Sequence, residues 1–512
     1  MRINQAGGRR SIKTNARLIG VLTAAVCCGG VSRVMADTWT WNGGGDDGFW
    51  SDASNWTHTS GSSGSGTPLS SDNTVVDFAG SATNPQPNQN IASPLTLNSL
   101  GFNSGAGPFD LIGDGLTFAN NSGGTAPTIV VNSNSVQQTV ETLTLANTTT
   151  ISGTGTGEIG FFAPILGTGG LVVSAAAPVF LEATNTYSGG TTINGGQVEI
   201  GSNQALGSGT LTFSGGTLTA FGNALVQNAF TAGDTTITLQ ADTGNTLTFN
   251  PSSGLFGSLN FGGSGQTGLI NFEPATFSYF GGNIDVNSGT LLDGADALSQ
   301  ILSSYSVSIA SGATFNINGF STTIKDLTGS GSLVTGTNAS ETFTLQAANF
   351  SGNITGSGKL IVGGGTVILS GTNTYSGGTN LNGGLLSIAS GDGVPSGAIS
   401  VTGSTSISAG GAARSLSNAI AISSGQNLSV VNDPTGAESL TLSGNISGSG
   451  ALATSGSVNL TLDGTNSYSG GTTLNGGQIN INNNSSLGNA SGTLTLNGGT
   501  LASTSNVTEN NT

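Results

Sequence analysis

The chain has one histidine in 512 residues, His58, and two cysteines, Cys27 and Cys28, which adjoin near the N-terminus. So small a stock leaves Ser-His-Asp and Cys-His nucleophile arrangements little to draw on. It excludes a zinc site of the usual His/Cys type, and a disulfide framework has no material. No GxxxxGK[ST] phosphate loop occurs. Charge is also scarce: 7% of residues are Asp, Glu, Lys or Arg. Glu, Lys and Arg are the residues that furnish long surface helices, so such helices are not expected. Tryptophan is absent after Trp56.

The nine basic residues are unevenly placed. Arg2, Arg9, Arg10, Lys13, Arg17 and Arg33 precede residue 37, and only Lys325, Lys359 and Arg414 follow it. The basic start, the short apolar run Leu18 to Val31 and the small-residue site Val34-Met35-Ala36 read as a cleavable export signal over residues 1–36. The run is too short to span a bilayer comfortably, so no integral membrane segment is expected after cleavage. The mature chain then keeps three basic residues against 25 acidic ones, a net charge of −22, and no cysteine. An acidic chain of this kind repels nucleic acid and anionic lipid, so no nucleic-acid partner is expected. No cofactor is expected either.

What is abundant is glycine, 86 residues, with much Ser, Thr and Asn and an apolar share of 35%. From Asn73 onward the apolar residues come in alternating runs of four to eight, each closed by Gly, Asn or Ser. Period-2 runs between such breakers are β-strands with one buried face. A longer period overlies them. The segment NTYSGGTTINGG at Asn185 returns as NTYSGGTNLNGG at Asn373 and NSYSGGTTLNGG at Asn466. Its tyrosines are Tyr187, Tyr375 and Tyr468, and a worn copy, Tyr279-Phe280-Gly281-Gly282, fills the long gap. The unit is therefore near 93 residues. The residues that mark it are Tyr187, Gly189 and Gly190; Tyr279, Gly281 and Gly282; Tyr375, Gly377 and Gly378; Tyr468, Gly470 and Gly471. About eight short strands per unit suit four or five rungs of about 20 residues in a parallel β-solenoid. A string of sandwich domains is the competing all-β arrangement, but it usually carries longer strands and a buried Trp in each domain.

Four features call for separate reading. Trp39, Trp41, Phe49, Trp50 and Trp56 cluster at the start of the mature chain. They can form a glycan-stacking platform or a plug for the open end of the β array, and the plug is the favoured reading. Asp46, Asp47 and Asp52 nearby are weak Ca²⁺ candidates without a complete binding-loop pattern, so no metal is expected. Asp293 to Ser303 places Ala297, Leu298, Ile301 and Leu302 at helical spacing, which predicts a short helix decorating the solenoid. Lys325 and Asp326 are the only basic–acidic neighbours after the signal that a polysaccharide lyase could draw on.

The pattern GxG-L…N-x-Y-S-G-G-T-x-[IL]-N-G-G…LG-x-G-x-LT-[FL]-x-GGTL resembles the autotransporter-associated β-strand repeat, also called the passenger-associated transport repeat. The opening WNGGGDDGFWSDASNW is similar to the N-terminal segment of such large bacterial surface proteins. The resemblance implies a right-handed parallel β-helix exported to the cell surface, whose repeats help the passenger fold and cross the outer membrane. Type-V secretion also needs a C-terminal barrel. The sequence ends at NVTENNT without one, as expected of a fragment, of a chain secreted without its own barrel, or of one held at the surface by another protein. The whole reads as an all-β solenoid with an N-terminal aromatic cap. Its segments are a signal over 1–36, cap and loop over 37–72, first rungs over 73–164, and repeat units over 165–512. The expected role is a non-enzymatic surface stalk or adhesin, outer membrane-associated or extracellular, with surface glycans or other cell-surface proteins as partners. A carbohydrate-active enzyme or carbohydrate-binding protein on the same scaffold is the alternative.

Overall fold

The structure is a computed structural model. It describes residues 36–511 except 62–65, 81–84, 234, 253–254, 275–277, 280–281, 434–438 and 504. The expected signal, but for Ala36, and Gly281 lie outside the described residues.

Alternation decides the architecture. In Leu95–Leu97, Leu116–Phe118 and Leu143–Leu145, the first and third residues are buried and the Thr between them is half-exposed. These strands stack in parallel, Leu95 on Leu116 and Leu116 on Leu143. A single strand buries too little to stand alone, so each short strand is stable only between its neighbours. Repeating this produces a parallel β-solenoid of about 19 turns with almost no helix.

Each turn has three faces. Face 1 begins Thr74–Phe78, Ser99–Phe102 and Thr128–Val131. Face 2 runs through Phe109–Gly113, Gln137–Thr139 and Ile159–Phe161. Face 3 holds the Leu-Thr-Leu type strands given above. Inward Leu, Ile, Val and Phe form one continuous core along the axis. Hydrophobic burial is the dominant favourable term, and here each turn shares it with two neighbours.

The N-terminal end is closed differently. Strand Asp37–Trp41 lies parallel on Thr74–Phe78 and antiparallel to Trp56–Ser60. Trp41 and Trp50 are fully buried and Trp56 is 6% exposed. The Trp56 ring meets Trp41 edge-on at 4.9 Å and Trp50 edge-on at 5.2 Å. Trp41 and Trp50 both reach Phe78, which packs on Phe102 and Phe109 of the following turn. The indoles thus continue the core column and cover its end. Replacing Trp50 by Ala is expected to cost about 3–5 kcal/mol, the range for large aromatic truncations in a core. A lowered melting temperature read from the N-terminal turns checks it, and an unchanged one contradicts the plug.

The short decorating helix expected near Asp293 does not form. Its place is taken by one 3-10 turn, Leu298–Gln300. Ala297, Leu298 and Leu302 are buried in the core, and the amide of Lys325 in the next turn bonds the Leu302 carbonyl. The segment lies between Thr290–Asp293 of face 3 and Ser306–Ile309 of face 2, so it replaces a face-1 strand. Asp293 is buried and accepts from the amides of Ala297, Leu298 and Ser299. Burial still outweighs those donors and raises its carboxyl to about 6.

The 93-residue unit is not a whole number of turns. On face 2, nine parallel steps lead from Gln197–Ile200 to Leu385–Ile388. These are the second strands after Tyr187 and after Tyr375, so the two tyrosines lie on one edge, nine turns apart. Four further steps lead from Leu385–Ile388 to Thr472–Leu474. That is the first strand after Tyr468, so this tyrosine has advanced four turns and one face. Tyr279 is likewise followed at once by Ile284–Val286 on face 2.

Candidate functional site: the tyrosine corners and their grooves

The repeated motif builds a corner without strand structure around residues 184–190, 372–376 and 465–469. Its first residue is the internal donor and acceptor. Asn185 Oδ1 accepts from the Ile165 amide at 2.8 Å, and its Nδ2 donates to the Ala205 carbonyl at 2.6 Å. Asn373 bridges Ile354 and Gly393 in the same way, and Asn466 bridges Ile446 and Ser486. One amide side chain therefore ties three successive turns together, which supplies the bonds the missing strand would have made.

The tyrosine comes two residues later and is buried in all three corners. Its hydroxyl meets the threonine four residues on: Tyr187 with Thr191 at 2.5 Å, Tyr375 with Thr379 at 2.8 Å, Tyr468 with Thr472 at 2.6 Å. Thr191 and Thr472 donate to the carbonyls of Leu206 and Leu487, so Tyr187 and Tyr468 are the donors of their pairs. Burial pushes all three phenols above their ordinary range. They are neutral anchors, not acid–base groups.

The paired glycines divide two tasks. A Cβ on Gly189 would stand 2.4 Å from the Gly169 carbonyl carbon, and one on Gly377 or Gly470 would stand 2.6 or 2.4 Å from that of Gly358 or Gly450. Gly190, Gly378 and Gly471 have φ of 85°, 81° and 88°, a conformation that favours glycine. Gly377→Val is expected to open the corner by forcing its turn from the one below. Faster amide exchange in strand Lys359–Val362 would show it, and native protection there would contradict it.

The worn copy is built otherwise. Tyr279 belongs to strand Ser278–Tyr279, paired with Leu255–Phe256. It has Asn283 where the other copies have Thr, and Phe277 where they have Asn. The Gly282 amide bonds Ser258 Oγ at 3.2 Å.

Beside each of the three full corners lies an open groove across successive turns. The first, of about 320 Å³, is lined by Thr186, Gln204, Ser208, Gln227 and Asn228 among others. The second, about 630 Å³, includes Thr374, Asp392, Pro395, Ser396 and Ser417. The third, about 350 Å³, includes Ser467, Ser485, Asn489, Glu509 and Asn510. Their floors are fixed by amides one turn further on: Asn228 donates to the Gly207 and Gly209 carbonyls, and Asn418 to those of Pro395 and Gly397. The motif had shown the tyrosines. The grooves join residues more than 40 positions apart, and a linear pattern does not display them.

The remaining candidates are dispersed. Trp39 is buried against His58, with centroids 4.5 Å apart, and His58 pairs with Asp37 at 2.7 Å. With Trp39, Trp41, Trp50 and Trp56 all buried, none offers a face for stacking a sugar. Asp47 Oδ1 accepts from the Phe49 amide, and Asp52 Oδ1 from the Ser54 amide and hydroxyl, so both shape turns; Asp46 is exposed beside them. Among the described residues no three His, Cys, Asp or Glu gather as a metal site. Lys325 Nζ donates to the Ser304 carbonyl at 3.3 Å, and Asp326 opens the face-2 strand Asp326–Gly329.

Two acids that the sequence reading passed over are strongly perturbed. Glu141 is 2% exposed and neither carboxyl oxygen has a hydrogen-bond partner. Burial, with Asp114 adding repulsion, raises it to about 9. Glu199, half-buried on face 2, is raised to about 7 by burial and then by Asp242 and Glu158. Glu141 and Glu199 lie in separate turns.

Fold and corners together define a three-faced β-solenoid punctuated by one recurrent bridged turn. The family model of the passenger-associated-transport-repeat matches it at residues 179–200, 362–388 and 455–481. Each match encloses one of the three full tyrosine corners, so the chain carries three such repeats. No curated protein and no solved structure matches it. The repeats and the solenoid together fit an autotransporter passenger, and the repeat family implies an exported surface protein. Among the described residues no helix is long and apolar enough to cross a membrane.

Proposed function

We propose that the chain is a surface-displayed rod whose work is mechanical and adhesive, and that its tyrosine corners secure the stacking of turns as the chain folds after export. The observation that carries this reading is the construction of the corner. Its Asn, Tyr, Thr and two Gly are all used inside the fold, and they recur where a strand is missing. Stacked turns of about 4.8 Å give about 19 of them a length near 90 Å. Neighbour-to-neighbour stability also suits a chain that folds progressively from one end.

Display is tested on intact cells. The full chain, carrying an epitope in the exposed segment Gly411–Ala413, is expressed in a diderm bacterium together with its native secretion partners. Antibody labelling without permeabilisation, and loss of the epitope on brief protease treatment, are expected. Labelling only after permeabilisation would overturn the reading. For the corners, a chain with Asn185, Asn373 and Asn466 all replaced by Ala is expected to reach the surface several-fold less than the unaltered chain.

A further inference from the structure

We propose that the three grooves beside the tyrosine corners are binding sites for one kind of ligand, a neutral hydroxyl-rich glycan chain. This rests on the reading of the chain as a displayed rod and adds a ligand class and its location.

The same chemistry recurs in three places. All three grooves present exposed amides and hydroxyls: Gln204 and Gln227 in the first, Thr374 and Ser417 in the second, Ser467 and Asn510 in the third. No Lys or Arg lines any of them. Beyond residue 36 the chain has only Lys325, Lys359 and Arg414 against 25 acids. A polyanion is therefore disfavoured at every groove. A cation is not the shared ligand, because Asp392 and Glu509 each stand alone in their groove and the first has no acid among its lining residues. A peptide added as a β-strand needs a free sheet edge. Here the corner amides are already bonded between turns, Thr186 to the Ile165 carbonyl and Ser188 to that of Gly167. Amides and hydroxyls in an open polar trough do suit a partner that is itself a row of hydroxyls, each donating and accepting.

Spacing sharpens the proposal. The first and second grooves follow corners on the same edge, nine turns apart, hence about 43 Å at 4.8 Å per turn. A glycan long enough to reach both binds with avidity, and one too short engages a single groove weakly.

The test uses the full chain on an array of neutral and acidic oligosaccharides, followed by affinity electrophoresis in dextran fractions and yeast mannan of graded length. Retention by at least one neutral polymer is expected, with a step of tenfold or more once the chain exceeds about 43 Å. Variants Gln204→Ala/Gln227→Ala and Thr374→Ala/Ser417→Ala are each expected to abolish that step. These side chains are exposed, so folding is checked by unchanged melting. Binding to acidic glycans alone, no binding across the array and the polymers, or retention indifferent to both variants would overturn the proposal. Cell-surface labelling is read separately, so loss of the glycan ligand leaves the rod standing, whereas absence from the surface removes both.

Discussion

Replacing Tyr375 by Ala is expected to destabilise the second corner by about 3–5 kcal/mol, the usual cost of deleting a large buried aromatic. The ring is 1% exposed and packs edge-on against Phe343 at 5.5 Å. Its hydroxyl bonds Thr379, the first residue of the next face-1 strand. Tyr375→Phe keeps the packing and removes only that bond, so about 1 kcal/mol is expected. Solenoid stability is a sum over neighbouring turns, so the damage stays local. Amide exchange should accelerate in Lys359–Val362, Thr379–Leu381 and Ile399–Val401 and remain native near Tyr187. Equal effects of Phe and Ala would mean that the hydroxyl, and not the ring, holds the corner. No effect of either would remove the tyrosine from the account.

The second large effect has the opposite sign. Glu141→Leu is expected to stabilise the turn containing Gln137–Thr139 and Leu143–Leu145. The Glu141 carboxyl sits near 9 in the folded chain against 4.5 when free. Between those values the folded state holds a proton that the unfolded state has released. Its contribution to stability is therefore intact below pH 4.5 and falls as pH rises toward 9. At pH 7 the accumulated cost is about 3 kcal/mol, taking 1.36 kcal/mol per unit. The substitution should flatten the pH dependence of exchange in those two strands. The smallest difference is expected at pH 4, where only the unpaired neutral carboxyl is removed, and the greatest near pH 9. A wild-type turn whose stability does not fall between pH 5 and 9 would contradict the buried protonated carboxyl.

Glu141 also shows what was legible. In Gln137-Gln138-Thr139-Val140-Glu141-Thr142-Leu143-Thr144-Leu145, every odd position is buried. Extending the Leu143–Leu145 alternation backward points Glu141 inward, so the signal was present, though composition-based reading overlooks one acid. The strands and the Trp plug followed from local pattern, because each is decided within a few residues, and the parallel stacking followed from the long repeat period. Other features depend on how turns superpose. The units advance a third or two thirds of a turn beyond four because strand and loop lengths do not sum to a whole fraction of the repeat, and no residue marks that sum. The helix expected near Asp293 shrank to one 3-10 turn because Leu298 and Leu302 gain more in the core than on a surface helix. The partners of the tyrosines were in plain view as the Thr four residues on. Only the buried contact separates Thr191, Thr379 and Thr472 from the many other threonines. The grooves were invisible for the same reason, since Thr374, Ser396 and Ser417 come from three successive turns.

If the repeats sit at fixed positions on one continuous rod, a single distance between two of them shows it. Ser188 and Ser376 are exposed at equivalent places beside Tyr187 and Tyr375. With both replaced by Cys in the exported chain and spin-labelled, pulsed electron resonance is expected to give one narrow distribution centred near 43 Å, nine turns of about 4.8 Å. A broad distribution, or a mean tens of ångströms away from that value, would show separate domains on linkers and contradict the rod.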